Sequence, residues 1–146
     1  MYGWFSHFEK VIHMNKTVLF VCVHNSGRSQ MAEAFFNHLA KGKAFAISAG
    51  TQPANEVNPV VVEAMGEVGI DISANKPKAL TIEMVEKADK MITMGCGDEA
   101  GAVCPASFIE TEDWALQDPK GKSLEDVRKI RDEIKARVTK LLDGIQ

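Results

Sequence analysis

Apolar residues run along this chain in two rhythms. Thr17–Val21 (TVLFV) is an unbroken β-rich run, whereas Ser29–Leu39 sets Met31, Ala32, Phe35, Phe36 and Leu39 along one side of a helix. Ala44–Ser48 (AFAIS) reads as a second strand ending in Ala49-Gly50. Asn58 before Pro59 marks a helix start. Val61, Ala64, Met65 and Val68 form its apolar face, and Gly69 closes it. Thr81 caps a shorter helix through Ala88, and Lys90–Met94 (KMITM) is a third strand opening into Gly95-Cys96-Gly97. A weaker fourth strand falls at Ser107–Thr111. Ser123 caps the last helix, where Val127, Ile130, Ile134, Val138 and Leu141 keep a steady helical spacing.

Strands separated by helices predict an α/β fold of three layers, a four-stranded parallel sheet flanked by helices. At 146 residues the chain suits one domain, expected over 16–146, with residues 1–15 a leader to which no role is assigned. That leader mixes aromatics with Glu9, Lys10 and two histidines, and lacks the basic start, apolar centre and small-residue site of a secretion signal. No stretch approaches the ~20 apolar residues a bilayer span needs. The formal net charge is −3, and no basic run of the nucleic-acid or membrane-surface kind occurs. The expectation is a cytoplasmic protein with neither nucleic acid nor membrane as partner.

The chemistry concentrates where the first strand meets the first helix. Cys22 ends the strand, five residues follow (Val23, His24, Asn25, Ser26, Gly27), and Arg28 opens the helix. Backbone N–H groups in such a turn, with the positive end of a helix, suit a tetrahedral oxyanion. The same field favours the Cys22 thiolate, which should form below the ordinary cysteine value of ~8.5. Arg28 is planar and permanently charged, so it can hold two oxygens of one anion. Covalent attack of sulfur on a bound oxyanion follows. In open parallel sheets ligands sit beyond the carboxyl ends of strands, and both Cys22 and Cys96 lie at strand ends.

Three cysteines, an odd number in a chain without a secretion signal, are no disulfide framework. A zinc site drawing on Cys22, Cys96, Cys104 and a histidine is one alternative, although no Cys-x2-Cys pair occurs. The other is redox: a nucleophilic cysteine with two relay cysteines can pass two electrons from an external dithiol to a bound substrate. Downstream, Asp118 precedes Pro119, which suits either a solvated turn or a general acid.

Taken together, CVHNSGRS after a strand, SAG, VGIDIS, TMGC, CP at 104–105, W-x3-DP and VRKIRDEIK resemble the cysteine-dependent arsenate reductases. The resemblance spans nearly all of 16–142 and implies the low-molecular-weight protein tyrosine phosphatase fold, a flavodoxin-like arrangement. It implies Cys22 as nucleophile, Val23–Arg28 as the oxyanion loop, Ser29 as hydrogen-bond partner of the thiolate and Asp118 as the acid. It further implies that Cys96 attacks the Cys22–arsenic adduct and that Cys104 resolves the Cys22–Cys96 disulfide. The reductant would be thioredoxin, a similar dithiol protein or a low-molecular-weight thiol, with no tightly bound cofactor. Some relatives hold a monovalent cation behind the loop, at positions matching Asn25, Glu33, Ser48 and Asp71.

Two departures stand out. Gly27 replaces a second loop cysteine common in that family, and seven residues separate Cys96 from Cys104. A phosphatase acting through Cys22, Arg28 and Asp118 is the alternative enzyme, although tyrosines that usually stand near its acid are missing here: the sole tyrosine is Tyr2. A non-catalytic thiol module, sensing redox state or binding arsenite, is the alternative outside enzymes.

Overall fold

The computed structural model describes residues 16–95 and 110–145. In chain order these form β1 (Lys16–Cys22), α1 (Arg28–Ala40), β2 (Ala44–Gly50), α2 (Pro59–Glu67), α3 (Ile82–Lys87), β3 (Lys90–Thr93), β4 (Glu110–Asp113) and α4 (Leu124–Ile145). The strands make one parallel sheet in the order β2-β1-β3-β4. Helices cover it, with α4 packed on both α1 and α2, and the short α3 against β1.

Local chemistry accounts for the helix starts. The Asn58 side chain accepts from Val60 N with Pro59 at the first helical position, and Thr81 Oγ1 accepts from Met84 N. Ser123 Oγ likewise accepts from Asp126 N at the head of α4. Because β1 is central and covered on both faces, its residues from Val18 to Cys22 are all buried. Phe20 meets Phe36 of α1 edge-on, ring centroids 6.0 Å apart, and Trp114 at 5.6 Å. Each such buried side chain contributes about 1.5–3 kcal/mol relative to exposure.

The expected fourth strand, Ser107–Thr111, overlaps the strand at Glu110–Asp113; residues 107–109 lie outside the described residues. Among the described residues β4 pairs with β3 alone, at the edge of the sheet, a position where the charges of its sequence Glu-Thr-Glu-Asp are tolerated. The proposed leader, 1–15, also lies outside the described residues.

Topology decides where a site belongs. From β1 the chain moves first to β2 on one side and later to β3 on the other. The crevice where that order reverses opens beyond the carboxyl end of β1, and Cys22 is its last residue.

Candidate active site

The five residues after Cys22 are braced from outside. Thr51 N donates to Cys22 O (3.1 Å), Gln52 N to Val23 O (2.7 Å), Ala54 N to His24 O (3.0 Å) and Asn58 N to Ser26 O (2.8 Å). These bonds consume oxygens of the loop and none of its N–H groups, the polarity an oxyanion cradle requires. Gly50 makes the approach possible: a Cβ there would stand 2.6 Å from Val23 O and 3.0 Å from Asn25 N. The helix that follows begins at Gly27 without a side-chain cap and without an acidic residue in its first turn, so nothing of its own neutralises its positive end.

Asn25 organises the loop from within. It is fully buried and holds φ +50°, a left-handed conformation that asparagine tolerates better than most residues. Its Oδ1 accepts from Lys78 N (2.8 Å) and Gln30 Nε2 (3.0 Å). Because a backbone N–H can only donate, the bond from Lys78 fixes which way the amide faces. Nδ2 therefore donates to Ser29 Oγ (2.7 Å) and Ser48 Oγ (3.0 Å). Ser29 Oγ also lies 2.8 Å from Cys22 Sγ, and once that sulfur is a thiolate only the hydroxyl can donate. Asn25 N donates to the same sulfur at 3.1 Å. Two donors converging on one sulfur favour its thiolate.

Facing this sulfur-bearing loop is a charged clamp. The nearly buried Arg28 donates from Nη1 to Met94 O (2.6 Å) and Leu116 O (3.1 Å). Its Nη2 lies 3.8 Å from Asp118 Oδ2, while Asp118 Oδ1 accepts from Lys120 N. The structure thus brings Cys22, Arg28, Ser29 and Asp118 to one end of the sheet, together with the loop Val23, His24, Asn25, Ser26 and Gly27. Cys96 and Cys104 lie outside the described residues.

The cation positions are partly joined. Ser48 Oγ donates to Glu33 Oε2 (3.1 Å), so Asn25, Ser48 and Glu33 form one hydrogen-bonded chain. Asp71 turns its Oδ1 to Ser73 N instead. Burial raises the Glu33 pKa above the ordinary carboxylate value, opposed by the Lys78 ammonium at 3.7 Å and by Ser48. With both Asn25 Oδ1 bonds filled and Lys78 beside Glu33, these residues satisfy one another and do not make an open oxygen cage.

Several working residues carry no obvious sequence signal. The brace from 51 to 58 acts through backbone groups, which any residue but proline supplies. Gln30 and Lys78 act on Asn25 from a helix and a loop. Asp113 escapes notice inside an acidic strand. Its Oδ1 accepts from Thr93 Oγ1 (2.6 Å) and Gly95 N (2.9 Å), and its Oδ2 from Ala115 N (3.2 Å). Burial works to raise its pKa, but those donors and the Arg28 charge hold it below the usual carboxylate value.

Residues 17–146 match the family described as low molecular weight phosphotyrosine protein phosphatase. A putative arsenate reductase of Halobacterium salinarum is 40% identical over 129 residues, 85% of this chain and 89% of that protein. The structure of a thioredoxin-dependent arsenate reductase from Corynebacterium glutamicum superposes with TM-score 0.77 at 40% identity, covering 95% of this chain and 66% of the other. An arginine phosphatase from Geobacillus stearothermophilus superposes with TM-score 0.80 at 26% identity, covering 90% and 93%.

Proposed function

The chain belongs to the low molecular weight phosphotyrosine protein phosphatase family, and within it we propose an arsenate reductase that uses Cys22, Cys96 and Cys104 in turn. Fold alone does not separate the two chemistries, since a reductase and a phosphatase superpose on this chain equally well. The observation that carries the reading is the 40% identity to a thioredoxin-dependent arsenate reductase, and to a putative one across 89% of its length, against 26% to the arginine phosphatase and 31% to a low molecular weight protein tyrosine phosphatase. The two further cysteines agree with it, because a phosphatase has no use for them.

In the proposed reaction arsenate enters the loop with Arg28 holding its oxygens. The Cys22 thiolate, supported by Ser29 Oγ and Asn25 N, attacks arsenic(V). Asp118 delivers a proton to the departing oxygen, which leaves as water. The Cys96 thiolate then attacks Cys22 Sγ. The sulfur–arsenic bond breaks and its electron pair stays on arsenic, releasing arsenite as arsenic(III). Two thiols have become the Cys22–Cys96 disulfide, so electrons balance. Cys104 attacks Cys96 next, freeing the Cys22 thiolate, and an external dithiol protein or low-molecular-weight thiol reduces Cys96–Cys104. A reducing compartment such as the cytoplasm suits this cycle. Among the described residues no helix is long and apolar enough to cross a membrane.

One preparation tests the reading. Arsenate-dependent consumption of thioredoxin-linked reductant should be catalytic, and hydrolysis of para-nitrophenyl phosphate should be slow. Fast hydrolysis without arsenate-dependent turnover would establish the phosphatase. Arsenite binding in stoichiometric amount with neither turnover would establish a thiol module.

A further inference from the structure

The mechanism above leaves unexplained why the substrate clamp holds its position. Arg28 is anchored by two carbonyls from different turns, Met94 O after β3 and Leu116 O after β4. These turns press together: a Cβ on Gly95 would stand 2.7 Å from both N and O of Leu116. Backbone bonds carry one residue past each strand, Met94 N to Val21 O (3.0 Å) and Trp114 N to Thr93 O (2.9 Å), and the next N–H on each side, Gly95 and Ala115, is taken by a side chain. Ala115 also holds φ +34°, a conformation a non-glycine residue keeps only when its surroundings impose it.

We propose that Asp113 is a positioning residue for the oxyanion clamp, its carboxylate joining the two turns whose carbonyls hold Arg28. Asp113 Oδ1 takes Gly95 N and Thr93 Oγ1 from the turn after β3, and Oδ2 takes Ala115 N from the turn after β4. Each bonded N–H lies one residue from an anchoring carbonyl, Gly95 beside Met94 and Ala115 beside Leu116. The carboxylate sets where those carbonyls point, and they set where the guanidinium points. This rests on Arg28 being the clamp of the proposed reaction. Through-space charge acts in the opposite direction, because a negative group near Arg28 weakens its pull on an anion. Solvent weakens that effect at the exposed Asp113, and its three hydrogen bonds to the two turns outweigh what remains of it.

Asp113→Asn keeps the side-chain shape and the acceptor at Oδ1 but sets an amide donor against Ala115 N. Inorganic phosphate, titrated calorimetrically, reads the clamp without requiring turnover. Phosphate should bind roughly three- to ten-fold more weakly, the worth of one hydrogen bond, and KM for arsenate should rise with it. The pH profile of Cys22 alkylation should stay where it is, since Ser29 and Asn25 serve the sulfur independently. Thr93→Val should shift phosphate affinity the same way, and Thr93→Ser should restore it. If Asp113→Asn fails to fold, the Thr93 pair decides. Unchanged or tighter phosphate binding in these variants, or an alkylation profile that moves together with affinity, would overturn the proposal. A wild-type protein that binds phosphate yet reduces no arsenate would overturn the reaction instead, leaving the Asp113 comparison intact.

Discussion

Gly27 and Pro119 close on each other so tightly that a Cβ at residue 27 would stand 2.6 Å from Pro119 Cγ. The contact joins the oxyanion loop directly to the loop carrying Asp118, whose Oδ2 lies 3.8 Å from Arg28 Nη2. Residue 27 carries no side chain, and the aspartate–proline turn fills the space.

Gly27→Ala should therefore push Pro119 outward and move Asp118 with it. Overpacking of this kind costs about 1–3 kcal/mol of stability. Misplacing a proton donor by a fraction of an ångström should lower kcat for arsenate on the order of ten-fold. Steady-state kinetics beside urea unfolding would separate the two effects. A Gly27→Ala protein with wild-type kcat would show that the turn yields without disturbing Asp118.

Ser29→Ala removes the hydroxyl 2.8 Å from Cys22 Sγ while leaving Asn25 N in place. A hydrogen bond to an ionised group contributes about 1.5–3 kcal/mol, so the midpoint of Cys22 alkylation should rise by about one pH unit or more. Iodoacetamide labelling against pH reads it directly. An unmoved midpoint would mean the backbone N–H and the loop field alone sustain the thiolate.

How far the sequence discloses this site depends on the kind of group at work. Cys22 and Arg28 are legible because their chemistry is unusual at a strand–helix junction, whereas Ser29 enters as a site candidate only through the family resemblance, which also favours the acid over the solvated turn at Asp118. The helix caps at Asn58 and Thr81 are legible because a side chain performs the capping. The 51–58 brace is not, since its bonds use backbone N–H groups that carry no residue signature; Gly50, needed for close approach, is the one trace it leaves. Asn25 is visible as a loop residue, but the four partners of its side chain come from positions 29, 30, 48 and 78, which only the fold assembles. The end of β4 at Glu112-Asp113 is not legible, because a charged strand segment has no apolar rhythm to mark it.

Acid should expose a different weakness. Glu67, at the end of α2, accepts from Arg128 Nε and Nη2 and from Arg131 Nη1, joining α2 to α4. These bonds, Arg128 foremost, hold its pKa down to about 2 against an ordinary 4.5. A lowered folded-state value means the group stabilises the fold above 4.5 and loses that contribution as pH falls toward 2. Glu67→Gln should consequently unfold at lower urea than wild type at pH 7. The gap should narrow between pH 4.5 and 2. A gap of constant size across that window would show that the pair acts through packing and not through charge.

The relay makes the sharpest demand. Cys104→Ser should complete one round, because Cys22 and Cys96 suffice to expel arsenite, and then stall as a Cys22–Cys96 disulfide. Cys96→Ser should stop earlier, with arsenic still on Cys22. Both should keep whatever slow hydrolysis of para-nitrophenyl phosphate the wild type shows, since that needs only Cys22, Arg28 and Asp118. The geometry is exacting, because disulfide-bonded cysteines need Cα atoms within about 7 Å. The described segment before these cysteines ends at the site: Met94 O holds Arg28, and Gly95, at φ +77°, is bonded to Asp113. Single-turnover arsenite release and mass spectrometry of the trapped disulfide distinguish the two variants. Wild-type multiple turnover of arsenate by both variants, with a dithiol protein as donor, would remove the relay and restore the phosphatase reading.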